Sequence, residues 1–181
     1  MLLQAAQSQV LLIDMQQKLA AAIFDSKEVE QAAAWVLQVA LQLEVPIWAT
    51  EQYPQGLGST VAALAELIPA QNMLQKMHFS ALKEPHIASS LACAERKQIV
   101  VLGTEAHVCV LQSVMDLLAL GYQVFVVVEA VGSRTEQNKQ LALNRMQQAG
   151  AQVISKEMLA FEWLQCCGTD TFRQISKGWI R

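Results

Sequence analysis

The feature that most constrains this chain is an alternation. Short, nearly continuous apolar runs take turns with longer stretches whose apolar residues recur roughly every three to four positions. "SQVLLIDM", "VPIWATEQY", "QIVVLG", "YQVFVVVEAVGS" and "AQVIS" are of the first kind and read as strands. "SKEVEQAAAWVLQVALQLE" is of the second, with Ser26 as N-cap and Val29, Ala33, Val36, Leu37 and Ala40 on one face. Further helices are read over "TVAALAELIP", "PHIASSLACAERK", "HVCVLQSVMDLLALG", "TEQNKQLALNRMQQAG" and "SKEMLAFEWL". "PQGLGST" reads as a loop, and "NMLQKMHFSAL" as a brief strand reaching Lys76. Strands separated by helices pair in parallel, because the helix is the crossover a parallel neighbour needs. The expected fold is therefore α/β: a parallel sheet of about five to six strands with helices on both faces, a Rossmann-like three-layer sandwich. No repeat, linker or low-complexity tract divides it, so residues 1–181 read as one domain.

Composition narrows the function. Hydrophobic residues make up 53% of the chain and charged residues 16%, yet no stretch runs far enough without polar interruption to cross a bilayer. The surplus apolar surface is expected in a large core and in subunit contacts, so a homo-oligomer is predicted. A net charge of −3 with scattered cations leaves no footprint for nucleic acid or a membrane surface. The opening "MLLQAAQSQVLLIDMQQ" has no basic region ahead of its apolar run and does not read as a secretory signal. Cys93, Cys109, Cys166 and Cys167 follow neither disulfide nor zinc spacing, which points to reduced thiols and a cytoplasmic protein.

In a parallel sheet, active groups gather at the carboxyl ends of the strands. Three residues stand at such ends: Asp14 after "VLLI", Lys76 after "NMLQ", and Cys109 just past "VVLG". Singly each has an ordinary reading: a turn cap, a surface lysine, a packing cysteine. Together they make coherent chemistry. A thiol at a helix start beside a lysine is expected to have a lowered pKa, and a carboxylate accepts its proton. Backbone N–H groups in the turn before the helix are ready donors for an oxyanion.

The ordered set "LLIDMQ", "TEQYPQGLG", "KMHFSAL" and "VVLGTEAHVCVLQSVMDLLALGYQVFVVVEAVGSR" resembles the isochorismatase-like hydrolases over nearly the whole chain. It looks closest to the isochorismatase-domain-containing branch of unassigned substrate. The resemblance implies an Asp14–Lys76–Cys109 catalytic triad on a parallel α/β sandwich. It also implies a cis peptide at Thr104–Glu105, aiming the Glu105 and Cys109 amides at one oxyanion. The nicotinamidase branch binds a metal through an Asp-x-His where this chain has Gln52, Tyr53 and Pro54. His78, His86 and His107 have no ligand spacing, so no metal and no cofactor are expected. True isochorismatases, which cleave a vinyl ether, lack the cysteine retained here.

The function these readings imply is a cysteine hydrolase of a small amide or related carbonyl substrate, working through a thioester. A silent oligomeric scaffold and a thiol redox sensor on the same fold are the competing readings. Gln52 and Phe79 are candidates for the substrate pocket. His107 either faces that pocket or packs against its own turn. Trp35, Trp48 and Trp163 read as core or interface residues, and "GLGST" lacks the lysine and spacing of a phosphate loop.

Overall fold

In the computed structural model, which describes residues 1–180, every run read as a strand forms one. Arg181, the end of the expected domain, lies outside the described residues. The first half of the chain runs β1 (Ser8–Ile13), α1 (Gln17–Ala20), α2 (Ser26–Gln42), β2 (Ile47–Gln52), α3 (Pro54–Leu57), α4 (Ala62–Ala65) and β3 (Met73–Lys76). Then come α5 (Pro85–Cys93), β4 (Gln98–Thr104), α6 (Leu111–Ala119), β5 (Gln123–Gly132), α7 (Glu136–Gln148), β6 (Gln152–Ile154), α8 (Lys156–Leu164) and α9 (Asp170–Ile175).

The six strands make one parallel sheet in the order β3-β2-β1-β4-β5-β6. The chain builds outward from β1 through β2 to β3, then returns to the other side of β1 with β4. The order therefore reverses between β1 and β4, the crevice where sheets of this kind hold their ligands.

Successive strand residues face opposite ways, and this alternation divides the core. Val10, Leu12, Val100, Leu102 and Phe125 pack with α2, α8 and Ile175 of α9. Leu11, Ile13, Ile99, Val101 and Val126 pack with α5, α6 and α7 on the other face. The expected three layers form, with apolar side chains on both faces of the central strands. Trp163 is buried, its indole N–H donating to Ser8 Oγ at 2.9 Å. The Trp48 indole donates to Gln9 Oε1 at 2.9 Å, and Lys156 sits over the Trp35 ring.

The local differences have plain causes. Ser26 is the first helical residue and not the cap: Asp25 precedes it in left-handed backbone, with no side-chain capping bond. Pro54 at the head of "PQGL" supports one helical turn, α3, where a loop was expected. The helix read from His107 begins only at Leu111, because Ala106–Val110 form a wider π-type turn holding Cys109. Helices α1 and α9, of four and six residues, are too short to carry a periodic signal. No helix among the described residues is long and apolar enough to cross a membrane.

Candidate active site

Asp14 follows β1 in left-handed backbone (φ 50°) and is fully buried. Its main chain is held from both neighbouring strands. The Asp14 N–H donates to Thr50 O at 3.1 Å, and Thr104 Oγ1 donates to Asp14 O at 2.8 Å. One carboxylate oxygen, Oδ1, accepts from Thr50 Oγ1 at 2.7 Å. The other, Oδ2, carries an ion pair with Lys76 Nζ at 2.7 Å, with no hydrogen bond of good angle to it. At that length, between two fully buried side chains, the contact is a charge pair.

Lys76 ends β3, two strand spacings or about 10 Å from β1. A long side chain is needed to span that gap, and a lysine has one. Its ammonium also donates to Gln52 Oε1 at 2.6 Å, Phe79 O at 3.0 Å and His78 O at 3.2 Å. Four acceptors thus surround a cation withdrawn from solvent, which is the condition for burying it. The loop carrying two of those carbonyls is tied by Glu84, whose Oε1 accepts from the Met77 and His78 amides at 2.9 and 3.1 Å.

Cys109 sits buried in the turn after β4, with Asp14 and Lys76 near enough for both to act on its proton affinity. The approach of β4 to β1 sets this meeting. Gly103, in register with Ile13, has a φ of +125°, and a Cβ there would stand 2.1 Å from Ile13 O. Only glycine lets the strand carrying Cys109 close on the residue before Asp14. The Thr104–Glu105 peptide is cis. Val108 and Val110 amides donate to Glu105 O at 3.0 and 3.2 Å, closing the turn around the thiol.

Burial overturns the expected electrostatics. It pushes the Cys109 thiol up to about 12, the Asp14 carboxylate adds to the rise, and Lys76 opposes it. The lysine and the helix start were expected to lower it; desolvation at 5% exposure outweighs them. Burial also holds the Asp14 carboxyl above its ordinary value, against the pull of Lys76. The burial that raises the thiol also makes the neighbouring carboxylate a stronger proton acceptor.

The pocket candidates fare unequally. Gln52 gives its oxygen to Lys76 and its amide nitrogen to Met77 O at 2.8 Å, so it serves as a brace for the lysine loop. Phe79 supplies a carbonyl to Lys76 while its ring is exposed. His107 finds its partner outside its own turn. Its Nδ1 pairs with Ser133 Oγ at 3.0 Å, and the residue lines a groove of about 460 Å³ with Ser80, Leu111 and Met115, whose walls include none of Asp14, Lys76 and Cys109. A cavity of about 530 Å³ between α2, β5 and α7 touches none of the three central residues.

A metal of the nicotinamidase kind does not fit. Gln52 is committed, Tyr53 is exposed, and Pro54 opens α3. Among the described residues no three His, Cys, Asp or Glu side chains converge. Sequence reasoning missed Thr50, Gln16, Glu84, Ser133 and Arg134. The signal for the first was "TEQ", a polar run closing an otherwise buried strand. Gln16 holds that strand end, donating to Gln52 O at 3.0 Å and accepting from Gln52 N at 2.8 Å.

The model of the Isochorismatase domain matches residues 8–158, most of the chain and all three central residues. The chain belongs to the isochorismatase family. It is 38% identical over 169 residues to isochorismatase domain-containing protein 2B of Mus musculus, spanning 92% of this chain and 78% of that protein. Among solved structures, the MAR1 ribonuclease of Caenorhabditis elegans superposes with a TM-score of 0.91 at 32% identity, covering 98% of this chain and 91% of that one. The YcaC gene product of Escherichia coli, described as an octameric hydrolase of unknown specificity, has a TM-score of 0.92 at 23% identity. That superposition covers 99% of this chain and 91% of the other, and it establishes likeness of fold. This isochorismatase-family hydrolase thus has a coupled carboxylate, ammonium and thiol at the sheet's switch point.

Proposed function

We propose that this isochorismatase-family protein is a cysteine hydrolase of a small amide or related carbonyl substrate, with Cys109 as nucleophile, Asp14 as proton carrier and Lys76 as the cation holding both. One observation carries the reading. A carboxylate and an ammonium from separate strand ends are buried in contact, with the buried Cys109 thiol near enough for both to act on its proton, an arrangement that costs stability and that packing alone does not require.

The chemistry follows from the resting protonation. The Cys109 proton passes to Asp14 as Sγ attacks the carbonyl carbon, since the thiol's high pKa leaves little free thiolate beforehand. The Glu105 and Cys109 amides receive the oxyanion. Asp14 then returns the proton to the departing nitrogen, leaving a thioester. Water, deprotonated by the same carboxylate, attacks the thioester, and the regenerated thiolate takes the proton back.

The scaffold reading has no use for a buried thiol coupled to a carboxylate and an ammonium. The redox reading lacks a resolving partner, since Cys93, Cys166 and Cys167 are exposed while Cys109 is buried. RNA, the substrate that the nematode protein's name suggests, is disfavoured because a net charge of −3 gives no electrostatic attraction for it. Three exposed unpaired thiols suit the reducing cytoplasm. A homo-oligomer is also proposed, supported by exposed Tyr53, Met77 and Phe79 around the Lys76 loop.

The test is turnover on a panel of small amides, lactams and carbamates. Cys109→Ala, Asp14→Asn and Lys76→Ala are each expected to lose roughly 10³-fold or more, because residues acting as one unit fail together. A substrate hydrolysed equally well by Cys109→Ala would overturn the mechanism.

A further inference from the structure

Outside the three central residues, one pair of contacts converges on the nucleophile's turn. Glu105 has a nearly buried carboxylate, 9% exposed, and it is gripped from outside by Arg134, 63% exposed. The guanidinium is bidentate: Nε donates to Glu105 Oε1 at 2.6 Å and an Nη2 proton to Oε2 at 3.2 Å. Next to it, Ser133 Oγ meets His107 Nδ1 at 3.0 Å. The segment leaving β5 therefore holds the Cys109 turn at two points, across 26 and 29 residues of chain.

We infer that Arg134 is a positioning residue whose two-pronged hold on the Glu105 side chain fixes the direction of the amides that receive the oxyanion. The inference rests on the reading of Cys109 as nucleophile. An ordinary surface ion pair contributes little to stability, but a fork-to-carboxylate contact fixes orientation as well as distance. Glu105 is already fastened at its carbonyl by the Val108 and Val110 amides. Arg134 fastens the side chain of the same residue, so the Glu105 Cα, held through two of its substituents, keeps its N–H in one direction. Without the guanidinium, the nearest side-chain nitrogen left to the carboxylate is His107 Nε2, 4.0 Å from Oε1. The side chain would swing toward it and carry the amide off line.

Two small electrophiles separate positioning from mere support. Acrylamide adds the thiol at its β-carbon. The S–C bond forms, the C=C pair moves onto the carbonyl oxygen as an enolate, and the α-carbon takes the proton the thiol gave up. Iodoacetamide alkylates by direct displacement: the S–C bond forms, iodide leaves with the C–I pair, and no oxyanion builds up. Rates at Cys109 are read by peptide-resolved mass spectrometry, with thermal melting to check folding.

Arg134→Ala is expected to slow acrylamide addition about tenfold or more while iodoacetamide changes less than about twofold. Arg134→Lys, which keeps the charge without the fork, should fall between. An acrylamide rate for Arg134→Ala within about twofold of the parent overturns the inference. So does an equal loss with both reagents, which marks a general loosening of the turn. If the parent protein's Cys109 takes up acrylamide no faster than exposed Cys93, the nucleophile reading itself fails, and this inference falls with it.

Discussion

A buried lysine and a buried aspartate in contact depend on one another unequally. Removing Lys76 leaves the Asp14 carboxylate in the core with only Thr50 as a side-chain donor apart from the thiol. Removing the Asp14 charge leaves Lys76 with Gln52 and two carbonyls. Lys76→Ala is therefore expected to cost about 3–5 kcal/mol of unfolding free energy, and Asp14→Asn clearly less. Urea titrations giving equal losses would contradict the asymmetry. The same residues govern how the thiol reacts. With the thiol pushed up to about 12, iodoacetamide capture at Cys109 should keep rising past about pH 9 with no plateau near neutrality. Asp14→Asn takes away the acceptor for the thiol proton, so capture at about pH 8 and hydrolysis are both expected to fall. A variant with capture as fast as the parent's would show that Asp14 does not take the thiol proton.

Among the elements, the β1–β4 contact matters most to the site. A side chain at Gly103 meets the Ile13 main chain, and neither backbone has room to yield. Gly103→Ala also forces alanine into positive φ. The sum is expected near 2–4 kcal/mol, with turnover falling further because Asp14 follows Ile13 directly. A loss under about 0.5 kcal/mol by denaturant titration would mean that the strands part easily there. The sequence marks Gly103 only as a strand end. Its purpose emerges when Ile13 is seen opposite it in register.

At the scale of the molecule, most of the apolar surplus goes inward. The helix "QAAAWVLQVALQLE" buries Ala32, Ala33, Val36, Leu37, Val39 and Ala40 against the sheet. What stays exposed includes Tyr53, Met77 and Phe79 close to the Lys76 loop, with Leu120, Leu141 and Phe161 elsewhere. A chain that leaves such groups beside its candidate site is expected to associate through that rim. Light scattering should give a mass at least twice the 20.0 kDa of the chain. A mass of 20.0 kDa at micromolar concentration would rule association out.

What the sequence determined by itself is local. Apolar periodicity distinguishes strand from helix, because it records which faces of a segment must leave water. The alternation of the two requires a parallel sheet, and Asp14, Lys76 and Cys109 were legible as strand-end residues for that reason. The tertiary structure alone decided the strand order that sets β1 beside β4, and hence Asp14 beside Cys109. It also decided the brace of Gln52 on Lys76, the grip of Arg134 on Glu105 and the sign of the shift at Cys109. Those depend on which distant segments become neighbours and on how much water they exclude. A thiol's proton affinity follows the solvent and charges around it, and no spacing along a chain encodes how deeply a fold will bury one of its atoms.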